Sequence, residues 1–95
     1  MNKPVILVVE DEPLQRRLIR QNLEKEGFAV FEASGGKEAL EAVRAYPVDL
    51  AVVDYRLEKE KGTDVIREML KETPLLTPIV VTAFANIENA VEAMR

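Results

Sequence analysis

The sequence predicts an open parallel α/β sheet with helices on both faces, and three observations lead there. The runs Val5-Ile6-Leu7-Val8-Val9, Leu50-Ala51-Val52-Val53 and Ile79-Val80-Val81 are short, rich in β-branched residues and free of apolar/polar alternation. That pattern belongs to strands covered on both faces by crossover helices. Helix-period segments separate the runs, so the chain reads as βα units with right-handed crossovers. Each run also ends at oxygen-bearing residues, Glu10-Asp11, Asp54 and Thr82, and parallel strands bring those oxygens to one edge.

The elements follow in order. After the first strand, Glu12-Pro13 begins a helix, with Pro13 suited to the first helical position. Its expected inward stripe is Leu14, Leu18, Ile19, Asn22 and Leu23, and Gly27 ends it. The segment from Phe28 to Ala33 is a weaker strand, interrupted by Glu32, as suits the edge of a sheet. Gly35-Gly36 turns the chain into a second helix, Lys37 to Ala45, with Ala39, Leu40 and Val43 on one face. Pro47 separates this helix from the strand Leu50 to Asp54. A loop over residues 55–61 follows, and its charged part, Glu58-Lys59-Glu60-Lys61, is expected to be solvated surface. Gly62 opens a third helix with the stripe Val65, Ile66, Met69 and Leu70; Thr73-Pro74 closes it, and Pro78 introduces the strand ending at Thr82. Asn86 is the expected N-cap of a last helix bearing Ile87, Ala90, Val91 and Met94.

Composition narrows the chemistry. With 95 residues, 47% hydrophobic and 32% charged, the chain has the make-up of one globular domain, without the low hydrophobicity of disorder. The 13 basic residues against 17 acidic give a net charge of −4, so the domain as a whole offers no basic footprint, and direct nucleic-acid binding is not expected. No apolar run is long enough for a signal peptide core or a membrane span, which points to a cytoplasmic protein. The absence of Cys and His removes disulfides, thiolate nucleophiles and the usual zinc ligands and general base.

Chemistry must therefore run on carboxylates, hydroxyls, Lys and backbone. In open α/β sheets the ligand crevice lies at the carboxyl ends of the strands, where Glu10, Asp11 and Asp54 converge. Clustered carboxylates repel, and either a cation or a strongly raised pKa resolves the conflict. Hard oxygen ligands with positions left for water and phosphate oxygens suit Mg²⁺. A carboxylate beside that ion is a competent phosphoryl acceptor. Asp54, at the end of a middle strand, is the expected acceptor, and the Thr82 hydroxyl is placed to bond a phosphoryl oxygen.

The run Val8-Val9-Glu10-Asp11-Glu12, the segment Asp49-Leu50-Ala51-Val52-Val53-Asp54, Gly62 downstream of Asp54, and Val80-Val81-Thr82-Ala83 together resemble the receiver domain of bacterial two-component response regulators. The resemblance covers essentially the whole chain. It implies a flavodoxin-like, doubly wound sheet in the order 2-1-3-4, with Asp54 taking a phosphoryl group from a histidine kinase or phosphotransfer protein. Asp11 and Asp54 would be direct Mg²⁺ ligands, Glu10 would assist through water, and the backbone carbonyl of Arg56 would complete the protein's share. Thr82 would be the switch hydroxyl, and the small Ala83 would leave access to the phosphoryl site. The tail from Thr82 to Arg95 is similar to receivers of nitrogen-regulation-type activators that work with sigma factor 54, which implies a transcriptional effector domain outside this chain.

The chain departs from the family in two places. Glu58 stands where members often carry Pro. The family's fifth strand and helix, with a Lys that pairs with the acceptor and an aromatic switch residue, fall beyond Arg95, so the expected domain is incomplete at its C-terminus. Two other functions compete. A phosphatase of the haloacid dehalogenase type needs a second Asp two residues after its nucleophile, where this chain has Arg56. A receiver-like interaction module that never carries phosphate is the alternative that remains. With the fifth strand absent, the Ile79 to Thr82 strand is an apolar edge open to pairing. Self-association or domain exchange through that edge is expected, and light scattering at high concentration that shows only a folded monomer contradicts it.

Overall fold

The computed structural model describes residues 3–81. Within them the elements are β1 (Val5–Val9), α1 (Pro13–Lys25), β2 (Ala29–Ala33), α2 (Gly36–Ala45), β3 (Leu50–Asp54), α3 (Gly62–Glu72) and β4 (Thr77–Val81). The strands pair in parallel in the order β2-β1-β3-β4, the doubly wound arrangement expected from the sequence. Thr82, Ala83, Phe84 and the helix expected from Asn86 onward lie outside the described residues.

Successive side chains of a strand point to opposite faces, and β1 shows the consequence directly. Leu7 and Val9 enter the core under α2 and α3, with Ala39, Val43, Ala51, Val53, Val65 and Met69. Ile6 and Val8 enter a smaller core on the other face, with Val30 and the partly buried Ile19, Leu23, Phe28, Leu50 and Val52. A strand feeding two cores has no polar face, which is why the run reads as continuously apolar. Leu7 and Met69 are fully enclosed, and each contributes on the order of 1.5–3 kcal/mol by leaving water.

The register of the central pair is set at its start. The Asp49 N–H donates to the Val5 carbonyl at 2.8 Å, and the Val5 N–H donates to Asp49 Oδ2 at 2.8 Å. From there Ile6 pairs with Leu50 and Val9 with Val53, so Glu10 and Asp54 emerge side by side.

Two elements differ from their sequence reading. Strand β4 begins at Thr77, not after Pro78. The Thr77 N–H turns inward to the Asp49 carbonyl at 3.1 Å, which leaves the Pro78 nitrogen on the outer side, where a missing donor costs no ladder bond. Helix α1 is also turned from its expected stripe. Leu14 is 65% and Leu18 47% exposed, and Asn22 is exposed as well. The residues facing inward are Arg16, Ile19, Arg20 and Leu23, an i, i+3, i+4, i+7 set. On this face Ile19 and Leu23 pack against Ile6, Val8 and Val30, and the Glu32 carboxylate on β2 accepts from Arg16 Nε at 2.9 Å and from Arg20 Nη1 at 2.7 Å.

Helix α1 ends in a Schellman arrangement. The Phe28 N–H donates to the Leu23 carbonyl at 3.3 Å and the Gly27 N–H to the Glu24 carbonyl at 3.0 Å, with Gly27 at φ 93°. A side chain at that left-handed residue is strained, so Gly27→Ala is expected to destabilise the domain by about 1–2 kcal/mol. Urea denaturation measures the change.

Candidate metal and phosphoryl-acceptor site

The site is assembled from two strand ends. Strand β1 stops at Val9, and helix α1 starts at Pro13 under the cap of Glu12, whose Oε1 accepts from the Leu14 N–H at 2.9 Å. Glu12 thus serves the helix, and Glu10 and Asp11 are left in a tight connection. The backbone of Glu10 is held from both sides: its N–H donates to the Ala33 carbonyl at 3.0 Å, and its carbonyl accepts from Arg16 Nη1 at 2.9 Å. Arg16 therefore joins the Glu10 main chain to Glu32. Sequence reasoning passed over this residue, although an unmatched Glu32 in a strand calls for a cation nearby.

On β3, the Asp54 side chain accepts from the Arg56 N–H at 3.2 Å. Arg56 pairs with Lys61 in an isolated antiparallel bridge. The bridge is made by the flanking groups, Gly62 N–H to the Tyr55 carbonyl at 2.8 Å and Leu57 N–H to the Glu60 carbonyl at 3.1 Å. The N–H and carbonyl of Arg56 take no part in it. Gly62 packs so closely on Asp54 that a Cβ there would overlap the Asp54 carbonyl; only glycine admits this approach. The loop over residues 55–61 is thus a closed hairpin against the strand end. Its charged part is not simply solvated, because Glu60 Oε2 accepts from the Gly36 N–H at 2.9 Å.

The carboxylates of Glu10, Asp11 and Asp54 each offer an oxygen within 4.8 Å of the others, the one such acidic group among the described residues. Glu10 is 5% and Asp54 9% exposed, and Asp11 is partly buried. Burial pushes Glu10 up from the ordinary 4.5 to about 8, reinforced by hydrogen bonding of its protonated form to Asp54, by the charge of Asp54, and then by Asp11. Its Oε2 is buried without a hydrogen-bond partner. Buried polar atoms are ordinarily satisfied, so an orphaned carboxylate oxygen beside two further carboxylates fits a hard cation as the missing partner. At the rear, the Arg20 guanidinium, and after it that of Arg16, holds Glu32 below the ordinary carboxylate range.

The strand order reverses between β1 and β3, and ligands of open α/β sheets bind at such a switch point. Fold and site therefore define a doubly wound α/β domain with an acidic, cation-accepting crevice. Residues 6–95 match the response regulator receiver domain, and the chain belongs to that family. It is 36% identical over 90 residues to the alginate biosynthesis transcriptional regulatory protein AlgB of Pseudomonas aeruginosa, covering 95% of this chain and 20% of that protein. The chain spans about a fifth of the length of the curated relatives it matches. A CheY-like receiver domain from Methanospirillum hungatei superposes with a TM-score of 0.83 at 30% identity, covering 98% of this chain and 74% of that one. The response regulator TrrA of Thermotoga maritima, solved in complex with Mg²⁺-BeF, gives 0.81 at 30% identity, covering 96% and 79%.

The site residues named from the sequence therefore fall into two sets. Glu10, Asp11 and Asp54 are together at the β1 and β3 ends, with the Arg56 N–H on Asp54; Thr82 and Ala83 lie outside the described residues. The raised Glu10 predicts an unusual pH dependence. Between pH 4.5 and about 8 the native state keeps a proton that the unfolded chain releases. Glu10 therefore costs nothing below pH 4.5, and stability falls as pH rises toward 8, by up to about 1.4 kcal/mol per pH unit. Urea melts in the presence of a chelator should show this decline, and Glu10→Gln should flatten it.

Proposed function

We propose that Asp54 is the phosphoacceptor of a signalling receiver, taking a phosphoryl group from the phosphohistidine of a histidine kinase or phosphotransfer protein. The observation that carries this reading is the convergence of Glu10 and Asp11 on a buried Asp54 with an unpartnered Glu10 oxygen. Asp11 and Asp54 would ligate Mg²⁺ directly, Glu10 through water, and the Arg56 carbonyl, free of its hairpin, would face the same site. The ion would neutralise charge on the transferring group. The Mg²⁺-BeF complex of TrrA supports the choice of metal.

In the transfer, an Asp54 carboxylate oxygen forms a bond to phosphorus as the P–N bond of the phosphohistidine breaks, and the electron pair returns to the imidazole. The Arg56 N–H holds Asp54 Oδ1, which leaves the other oxygen for attack. Asp11 sets a further carboxylate beside Asp54, and a cation would offset their repulsion. The product acyl phosphate carries about −1.5 to −2 charge in place of the single negative charge of the carboxylate. The Thr82 hydroxyl is proposed to follow the new oxygens, and Ala83 to leave room for them.

The output is the switching of a transcriptional effector, of the kind that works with sigma factor 54, in the cytoplasm. The name of AlgB, a transcriptional regulatory protein, supports the transcriptional part. No helix among the described residues is long and apolar enough to cross a membrane.

Incubating the full natural chain with Mg²⁺ and a small phosphodonor, followed by intact mass, tests the proposal. The expected result is the mass gain of one phosphoryl group, lost in Asp54→Asn and on chelation. A chain that takes up neither phosphoryl nor beryllofluoride at millimolar Mg²⁺ is instead an interaction module.

A further inference from the structure

The charged loop that follows Asp54 holds a contact that neither the fold nor the proposed chemistry requires. Helix α2 starts at Gly36 with Gly35 as its N-cap, which supplies no side-chain acceptor. The first N–H groups of a helix have no intrahelical partner, and the Gly36 N–H is served by Glu60 Oε2 at 2.9 Å, from 24 residues along the chain. The two glycines make the seat. A Cβ at Gly35 would lie 3.2 Å from Glu60 Oε2, and one at Gly36 would overlap the Glu60 carboxylate. A carboxylate at a helix N-terminus is favoured by both the hydrogen bond and the helix dipole.

We infer that Glu60 is a positioning residue for the metal site, a latch that ties the loop bearing Arg56 to the N-terminus of α2. Glu60 acts through two atoms at once. Its carbonyl closes the hairpin by accepting from the Leu57 N–H at 3.1 Å, while its carboxylate anchors that hairpin to α2. The Arg56 peptide lies within the closed segment, with its N–H already on Asp54. Members of the family often carry Pro where this chain has Glu58, and here a side-chain latch restrains the loop instead. The inference rests on the proposed role of the Arg56 carbonyl as a metal ligand, because that carbonyl is what the latch holds in place.

Mg²⁺ titration by calorimetry, at a temperature where each variant is folded, tests it alongside melting temperatures taken without metal. Glu60→Ala is expected to weaken Mg²⁺ binding about 10-fold, the usual scale for losing a group that orients a ligand. Glu60→Gln keeps an amide oxygen to accept from Gly36 and is expected to restore most of the affinity. Glu58→Ala removes the same charge from the same loop and is expected to leave affinity within about twofold of wild type, since exposed charges are strongly screened. In the Glu60→Ala background, Gly36→Ala is expected to add no further loss of affinity, because both substitutions remove one contact.

Equal affinity in wild type and Glu60→Ala, with only the melting temperature lowered, overturns the latch and leaves the proposed site intact. Equal losses in Glu58→Ala and Glu60→Ala overturn it too, by reducing the effect to charge. Failure of the wild type to bind Mg²⁺ at all overturns the site reading and the latch with it.

Discussion

The parallel pairing of Val9 with Val53 is the constraint on which the site depends. One residue further along each strand it sets Glu10 beside Asp54, two carboxylates that repel, where the sheet gives way to loops. A slip of one residue would send Glu10 to the opposite face of the sheet. The reciprocal bonds between Val5 and Asp49 oppose that slip at the other end of the strands, and the unbroken apolar core on both faces opposes it along their length.

Holding acids together costs stability, and the surrounding structure offsets the cost in particular ways. Glu10 meets it by keeping a proton to about pH 8. Its main chain is fixed by Ala33 and by Arg16. Arg16 in turn is oriented by Glu32, which Arg20 also holds. The ion pairs on α1 thus act beyond the modest value of surface salt bridges, because one of their partners also grips the backbone that carries the site.

The second wall of the site depends on close approach. Gly62 lets α3 begin against the Asp54 carbonyl, and the Arg56 to Lys61 bridge folds the intervening residues back. Glu60 extends the wall to α2. Strand β3, the loop that follows it and two helices on one face therefore form a single connected frame around Asp54.

Much of this was legible in the sequence, because it rests on local signals. Continuous β-branched runs marked β1 and β3, 3.6-residue spacing marked α2 and α3, and strand ends bearing Glu10, Asp11 and Asp54 marked the acidic edge. Parallel pairing alone was enough to bring those acids together. What the sequence could not decide were choices between locally equivalent partners. Leu14 and Leu18 fit an inward stripe as well as Ile19 and Leu23 do, and only the assembled sheet shows that Ile19 and Leu23 pack on Val30 and β1 while Arg16 and Arg20 meet Glu32. Glu60 looked like one of several solvated charges until the fold brought the uncapped N-terminus of α2 within reach. Sequence patterning determined which residues are strands, helices and acids; only the tertiary structure decided which charges meet, because that depends on distances between segments far apart in the chain.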